Sequence, residues 1–537
     1  MKKYILSAFA LAAAAGLGAQ NITDAFRMSE NNYYGTARSV AMGNAFTALG
    51  GDLGSAIINP AGTAVNGYSQ FVITPSVGLL AGSATFNSSP DAAATYGPES
   101  GISGAKAYLP NFGFVTVMNS SDKSSILRRF SLGFVGSASA YYMDDMTASG
   151  NNNRTSYMGY LAADATNSGI ASSTFEGLTP RSYQEINAWY WPVGIAWNTN
   201  MISNYTADDT RYVGAAQNVY STGLPVAGDL AQRLGRLSRG FKYDMVVNAG
   251  LNFLDWIYVG ANLGIVTYNY QSDNFFREAA VNPADFANEF DSGTTYFRDM
   301  VFKESLKSEG TGINLKLGTI ITPPGTSWRF GAAIQTPTYF ELKDELRYYG
   351  ELNFTDDAFN AGPKRTDTGI FEYGFTAPFR CNFGTAYVLP GGSGVLSADY
   401  EYCNYHGMRF STVDDYTSDE WNETNDYLRQ YSGGQHHLRL GAEYKPAPEV
   451  AFRAGYTFAT SPERDSYGDA PKAYTHSAAA GIGYSSAGSF FCDFAVRGTF
   501  RPTECYYPYP TYDSYLSPEV LIDSRFWDIL FTFGWRF

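Results

Sequence analysis

At 537 residues the chain is long enough for roughly two to four soluble domains, yet its formal charge of −14 leaves no basic stripe for a phosphate backbone, which excludes nucleic acid as a partner. With 41 Tyr, 37 Phe and 55 Gly, the composition suits many strands, tight turns and interfacial rings. Past residue 20 no uncharged apolar run reaches the ~18 residues of a spanning helix, so a membrane role has to use strands.

Residues 1–19 read as an export leader. Lys2 and Lys3 supply the charged start, Ile5 to Leu17 the apolar stretch, and Gly18-Ala19 before Gln20 the small-residue cleavage site. No Cys lies near that site, so a lipid anchor is not expected. Residues 20–70 carry many small residues and fit no strand pattern; they are expected to form a separate N-terminal hatch that folds into a lumen.

Over 71–537 a period of two predicts fourteen strands, at about 71–80, 110–118, 130–143, 242–253, 256–270, 311–322, 327–343, 371–390, 394–410, 434–446, 449–459, 476–485, 489–501 and 526–537. The last is the clearest: Trp527, Ile529, Phe531, Phe533, Trp535 and Phe537 alternate with Asp528, Thr532, Gly534 and Arg536, a lipid-facing row beside a lumen-facing one. Connector lengths support the count. Short connectors such as Leu254-Asp255, Pro323 to Ser327 and Ala447-Pro448 follow even strands, with 119–129 the longer exception, and long polar ones follow odd strands, 144–241 being the largest. Segment 188–199 also looks strand-like, but a fifteenth strand would invert this parity and Pro192 weakens it as a ladder member, so it is assigned to the outer excursion. In the same excursion Leu230, Leu234 and Leu237 recur at helical intervals and predict a short amphipathic helix. Lipid offers unpaired N–H and C=O groups no partners, at a cost of several kcal/mol each, so the sheet must close. The expected fold is all-β: a 14-stranded antiparallel transmembrane β-barrel, residues 71–537, around an N-terminal hatch.

Turn positions set the register. The turn at Gly391 to Gly394 places Phe383 opposite Tyr400 and Tyr387 opposite Leu396 on the apolar face, with Asn382 meeting Glu401 and Gly384 meeting Asp399 inside. A one-residue slip would bring Cys381 opposite Cys403 but would also set Phe383 beside Glu401, so no such disulfide is expected. The next turn sets Glu443 opposite Arg453. Arg380, Asp399, Glu401, Arg439, Glu443 and Arg453 therefore form a polar lumen wall, read mainly as reinforcement because buried ions need partners. The four Cys (381, 403, 492, 505) and four His (406, 436, 437, 476) show no metal-ligand spacing, so neither a metal nor any other cofactor is expected.

The stretch ARSVAMGNAFTALGGDLGSAIINPAGTA from Ala37 resembles the plug of the long-chain fatty acid transporter family (FadL/TodX), whose signature is M-G-x-A-F-x-A followed by N-P-A-G. Met42, Gly43, Ala45, Phe46 and Ala48 match the first part, and Asn59, Pro60, Ala61 and Gly62 the second. Further resemblance lies in TGINLKLGTIITPPGTSWRFGAAIQTPTYFEL from Thr311, APFRCNFGTAYVL from Ala377, SADYEYCNY from Ser397 and the terminal Phe537. For Asn59-Pro60 a plain turn is a sufficient account and is compatible with a hatch role.

The resemblance implies a fourteen-stranded plugged barrel whose ligands are captured by outer loops and leave sideways at a kinked third strand. Gly133 and Gly136 are the candidates for that kink, although Gly is common in such strands. The aromatic loop CYYPYPTYDSY offers Tyr506, Tyr507, Tyr509 and Tyr512 either as a hydrophobic capture site or as interfacial anchors. The expected function is passive uptake of small hydrophobic compounds, long-chain fatty acids or aromatic hydrocarbons, across the outer membrane of a Gram-negative bacterium. The expected partners are such a ligand, outer-membrane lipid and lipopolysaccharide, with the chain itself a monomer. The alternative is an adaptor or adhesin that uses the barrel as an anchor and its loops as a protein-binding surface. A surface hydrolase built on Asp399 and Glu401 is weaker, since no serine, histidine and acid pattern stands out.

Overall fold

The computed structural model describes residues 22–88, 97–122, 124–221, 223–413, 419–464, 472–486, 489–513 and 515–537; the expected leader at 1–19 lies outside them. Fourteen antiparallel strands close into a barrel. They are β1 (Gln70–Asn87), β2 (Ser100–Asn119), β3 (Leu127–Asn152), β4 (Leu230–Phe253), β5 (Ile257–Ala280) and β6 (Gly293–Ile321), followed by β7 in two pieces (Trp328–Gln335 and Tyr339–Phe354). Next come β8 (Gly369–Thr376 and Phe379–Val388), β9 (Gly394–Asn404 and Arg409–Ser411), β10 (Gly434–Ala447), β11 (Val450–Thr460), β12 (Tyr474–Ser485), β13 (Phe490–Phe500) and β14 (Glu519–Arg536). Closure is made by β1 against β14, where Phe71 faces Trp535 and Leu79 faces Trp527. Among the described residues no helix is long and apolar enough to cross a membrane.

Alternation explains the wall. On β14 the large side chains of Trp527, Phe531, Phe533 and Trp535 point outward and are exposed, whereas Asp528 and Thr532 are fully buried inside. Exposed apolar residues on a sheet face mark the lipid side. The apolar belt is short: on β6 it comprises Ile313, Leu315 and Leu317, opposite Ile265 and Leu263 of β5. β6 nevertheless runs for 29 residues, against the 9–11 that cross a bilayer, so its outer two thirds stand beyond the belt.

This overhang corrects two expectations. The strands flanking the largest excursion reach Asn152 and start again at Leu230, and the predicted amphipathic helix is the outer end of β4. Leu230 and Leu234 face inward with Gln232 between them, while Leu237 is outward and exposed. Leucines four apart suit a period of two as well as one of 3.6, and ladder bonds to both β3 and β5 decide the outcome. Segment 188–199 lies in the excursion, as a 3-10 turn leading into the helix Trp191–Asn198, with Pro192 in its first turn, where the missing N–H costs nothing.

The N-terminal segment fills the bore with helices α1 (Ile22–Ser29), α2 (Ala37–Ala41) and α3 (Ser55–Ile58) and a 3-10 turn, Pro60–Val65. Above it the outer excursion forms a lid with helices α4 (Tyr157–Ser168) and α5 (Trp191–Asn198). One apolar cluster joins Phe175 and Trp191 of the lid to Phe86, Phe276, Phe302 and Phe354 at the outer strand ends.

Candidate transport pathway: hatch, lumen wall and wall gap

The hatch motif is built around close backbone approach. α2 is capped by Thr36, whose hydroxyl accepts from Ser39 N, and its first N–H donates to Thr532 Oγ1 of β14 at 2.7 Å. At Gly43 the chain turns with φ 61, and a Cβ there would meet Leu440 O and Tyr456 N at 2.9 Å, so only glycine lets the hatch lie this close to β10 and β11. Met42 and Phe46 share an apolar cluster with Val72, Val115, Val135 and Val246 of the wall. Asn59 caps the 3-10 turn through Ala61 N (3.1 Å) and donates to Thr47 O (2.7 Å) and to Thr319 O of β6 (3.0 Å). Pro60 O accepts from Asn248 of β4 at 3.0 Å. Ala61 packs with Tyr258 and Ile320, and Gly62 O accepts from Gly51 N at 3.0 Å. The turn account of Asn59-Pro60 thus describes the local geometry, and the same residues fasten the hatch to the wall.

All six residues of the expected polar wall face inward and are buried or nearly so, in the register derived from the turns. Glu401 accepts from Arg380 (2.9 Å), Arg439 (2.7 Å) and Asn382 (3.2 Å). Asp399 accepts from the hatch amide of Thr47 at 2.7 Å. Glu443 is held by Arg453 (2.7 Å) and by Arg38 of the hatch (3.0 and 3.3 Å), and Arg453 also binds Asp493 at 2.6 Å. The partners Arg38, Asp493, Arg497 and Asp528 were missed by sequence reasoning; their inward parity was the available signal. Lys242 and Arg380 donate to the hatch carbonyls of Met28 (2.8 Å) and Ser29 (2.6 Å) at the negative end of α1, and Lys316 donates to Ile57 O (2.6 Å) at the end of α3. With the oxygens of Glu401 committed to these partners, that carboxylate is poorly placed as a general base.

Two expectations need correction. His437 lies directly opposite Glu401, and Cys403 is two residues further along the same face, so a nitrogen, a sulfur and an oxygen fall within 4.8 Å of one another. Spacing along the chain hid this, because the set is assembled across β9 and β10. Arg380 touches both Cys403 Sγ and Glu401 at 2.9 Å, so a cation entering here would have to displace a guanidinium. Cys381 sits opposite Tyr402, on the other face from Cys403, and both thiols are free.

The second correction concerns the third strand. Gly133 and Gly136 are regular ladder members, paired with Val115 and Phe112 of β2. The irregularity comes later: the β2–β3 ladder stops at Asn111 opposite Ser137, and β3 shifts register against β4 between Ala138 and Ala140. On β2 the pairing to β1 also slips here, with Leu109 and Pro110 standing against Pro75. Proline has no N–H to donate, and a bulge turns the strand edge away from its neighbour. The outer part of β2 keeps its ladder to β1 and that of β3 its ladder to β4, with no ladder between them among the described residues. The gap starts level with Thr74 of β1 and runs past Val77 and Leu79, which are exposed on the lipid side.

Tyrosines fill the gap. Tyr108 and Tyr141 meet at 4.1 Å between ring centroids, and Tyr34 of the hatch packs edge-on against them at 6.1 and 5.2 Å. Asn32 N donates to Ser139 O at 2.8 Å and Tyr34 N to Ala138 O at 3.2 Å, and Ser137 Oγ donates to Tyr34 O. Tyr108 donates to Asp528, which is bound by Arg497 (2.9 and 2.7 Å), whose guanidinium lies 4.5 Å over the Tyr34 ring.

The aromatic loop is not the exposed surface expected of it. Tyr509 and Tyr512 are buried in the lid core, bonded to Thr155 Oγ1 (3.1 Å) and to the backbone of Ser156. Tyr506 lies under Arg236, and Tyr507 reaches Glu519 at 3.4 Å. They secure α4, whose first turn is also met by Glu278 through Ser156 Oγ (2.6 Å) and Tyr157 N (2.7 Å).

No protein-family model matches the chain, and no curated protein matches it. Solved structures do. The FadL homologue of Pseudomonas aeruginosa aligns over 94% of this chain and 99% of its own, at 11% identity and a TM-score of 0.51. The Ralstonia pickettii toluene transporter TbuX (13% identity, 94% and 99% covered, TM-score 0.46) and the CymD monoaromatic hydrocarbon channel (11%, 94% and 98%, 0.45) follow. At such identity the likeness is one of fold: a closed fourteen-stranded β-barrel.

Proposed function

We propose that the protein is an outer-membrane channel for passive uptake of small hydrophobic compounds, fatty acids or aromatic hydrocarbons, exported by its leader and working as a monomer amid outer-membrane lipid and lipopolysaccharide. The observation that carries this reading is the wall gap, which begins within the lipid belt at Asn111 and Ser137. A solute carried inside the barrel meets the bilayer there without crossing the polar end of the bore. Sideways release is favoured over passage beyond the hatch because residues 37–65 are bolted to the wall at many points.

The apolar core on this route is packed around α1. Ile22, Ala25 and Met28 pack among Tyr142, Tyr268, Phe340, Phe375, Tyr405 and Phe410. An apolar solute taking the place of the α1 side chains would gain roughly 25 cal/mol per Å² of apolar surface withdrawn from water. Uptake of radiolabelled palmitate and toluene by cells with and without the protein tests the proposal. Saturable, expression-dependent uptake of either supports it; absence of both would favour an adaptor or adhesin that uses the barrel only as an anchor.

A further inference from the structure

The hatch is not uniformly placed with respect to the gap. Residues 32–34 run along the edge of β3 where β2 has left it, and their amides satisfy the carbonyls of Ala138 and Ser139. An unpaired carbonyl at this depth would be costly, since lipid supplies no donor. The hatch thus stands in for two rungs of the missing ladder. Tyr33 has φ 44, an uncommon conformation for an aromatic residue. The turn sends the neighbouring rings to opposite sides, Tyr33 beneath Arg439 (4.9 Å) in the ion-pair wall and Tyr34 into the gap.

We propose that Tyr34 is the bolt of the wall gap: its ring, clasped by Tyr108 and Tyr141 and steadied by Arg497, and its backbone, paired to β3, together keep β2 and β3 sealed until residues 32–34 withdraw. This inference rests on the transport reading and assigns its gating residue. Ring packing, two backbone bonds, the Ser137 hydroxyl on Tyr34 O and the Arg497 guanidinium on Asn32 O (3.3 Å) hold the gap closed, with no ion pair between residues 32–34 and the wall. Arg497 keeps its partner Asp528 in either position. Withdrawal of Tyr34 leaves a slot bounded by phenol rings, suited to a slender apolar chain or a flat ring. The hatch helix α1 is continuous with the bolt, so a solute that dislodges α1 from its apolar core pulls on residues 30–34 directly.

The test uses the full-length protein in lipid nanodiscs and in cells. Deuterium exchange should show the amides of Asn32 and Tyr34 protected in the wild type. Tyr34→Ala and Tyr141→Ala should each speed that exchange at least tenfold and raise the initial rate of palmitate entry several-fold, while Tyr34→Phe keeps wild-type values in both. Unchanged protection and entry in both alanine variants would overturn the proposal. Should Tyr34→Ala fail to fold, as judged by its urea midpoint, Tyr141→Ala alters the same clasp from the wall side and decides alone. If wild-type cells take up neither palmitate nor toluene faster than cells lacking the protein, the transport reading fails, and the exchange data still report whether Tyr34 holds the edge of β3.

Discussion

The two flanks of the hatch are held by different physics. Toward β8–β14 the attachments are charged: Arg38 on Glu443, Thr47 N on Asp399, Arg380 on Ser29 O, and Arg439, itself held by Glu401, over the ring of Tyr33. Toward β2 and β3 they are two backbone hydrogen bonds, a third from the Ser137 hydroxyl to Tyr34 O, and a cluster of rings. Breaking one side of a buried ion pair costs about 3–5 kcal/mol, whereas a neutral hydrogen bond contributes about 0.5–1.5. The difference teaches where movement belongs: the flank toward β10 is a fixed mount, and the flank toward β3 is the part that can yield.

The comparison breaks most decisively at Glu401. Glu401→Ala strips Arg380 and Arg439 of their shared carboxylate and should destabilise the protein by about 3–5 kcal/mol, read as a lower urea midpoint; a change under ~1 kcal/mol would mean that the mount is not electrostatic. Next comes Gly43→Ala. It forces a left-handed residue against Leu440 O and should cost at least roughly 1–2 kcal/mol, with faster exchange confined to residues 40–48; exchange that instead quickens around 32–34 would show the two flanks to be one unit. Asn59→Ala should cost about 1 kcal/mol through the lost cap, visible in the same midpoint, without changing the exchange of residue 34.

The smallest effect concerns the lid. Burial raises the carboxyl of Asp164 on α4 to about 6, above the ~3.9 of an unfolded chain. Its stabilising share is therefore full below about pH 4 and is lost as pH rises through 6. Deuterium exchange in α4, corrected for intrinsic rate, should quicken between pH 5 and 7.5 in the wild type and not in Asp164→Asn.

Much of this was legible in the chain. The oily-polar rhythm of Trp527 to Phe537 and the alternation of short and long connectors carried the strand number. Turn positions carried the pairing of Asn382 with Glu401 and Glu443 with Arg453. What stayed hidden has physical reasons. Beyond the lipid belt both faces of a strand meet polar surroundings or the lid, so the rhythm fades and the outer ends of β3 to β6 carry no strand signal. The break in β3 could not be placed from Gly133 and Gly136, because its cause includes Pro110 and Pro75 on neighbouring strands. The meeting of Cys403 with His437 needed a further strand pairing, the one that sets Glu401 against His437. Tyrosines of the 505–515 loop look alike in sequence whether they face solvent or fill a lid.

The length of β6 has one more consequence. At ~3.3 Å per residue along a strand tilted about 45°, the residues beyond the bilayer raise the rim by roughly 40 Å, more than the thickness of the hydrocarbon itself. The rim is lopsided: this side stands as a tall screen, whereas β10 to β13 run for only 11 to 14 residues. On the proposed transport reading, a water-shunning molecule would meet protein on this side well before it reached the lipid heads.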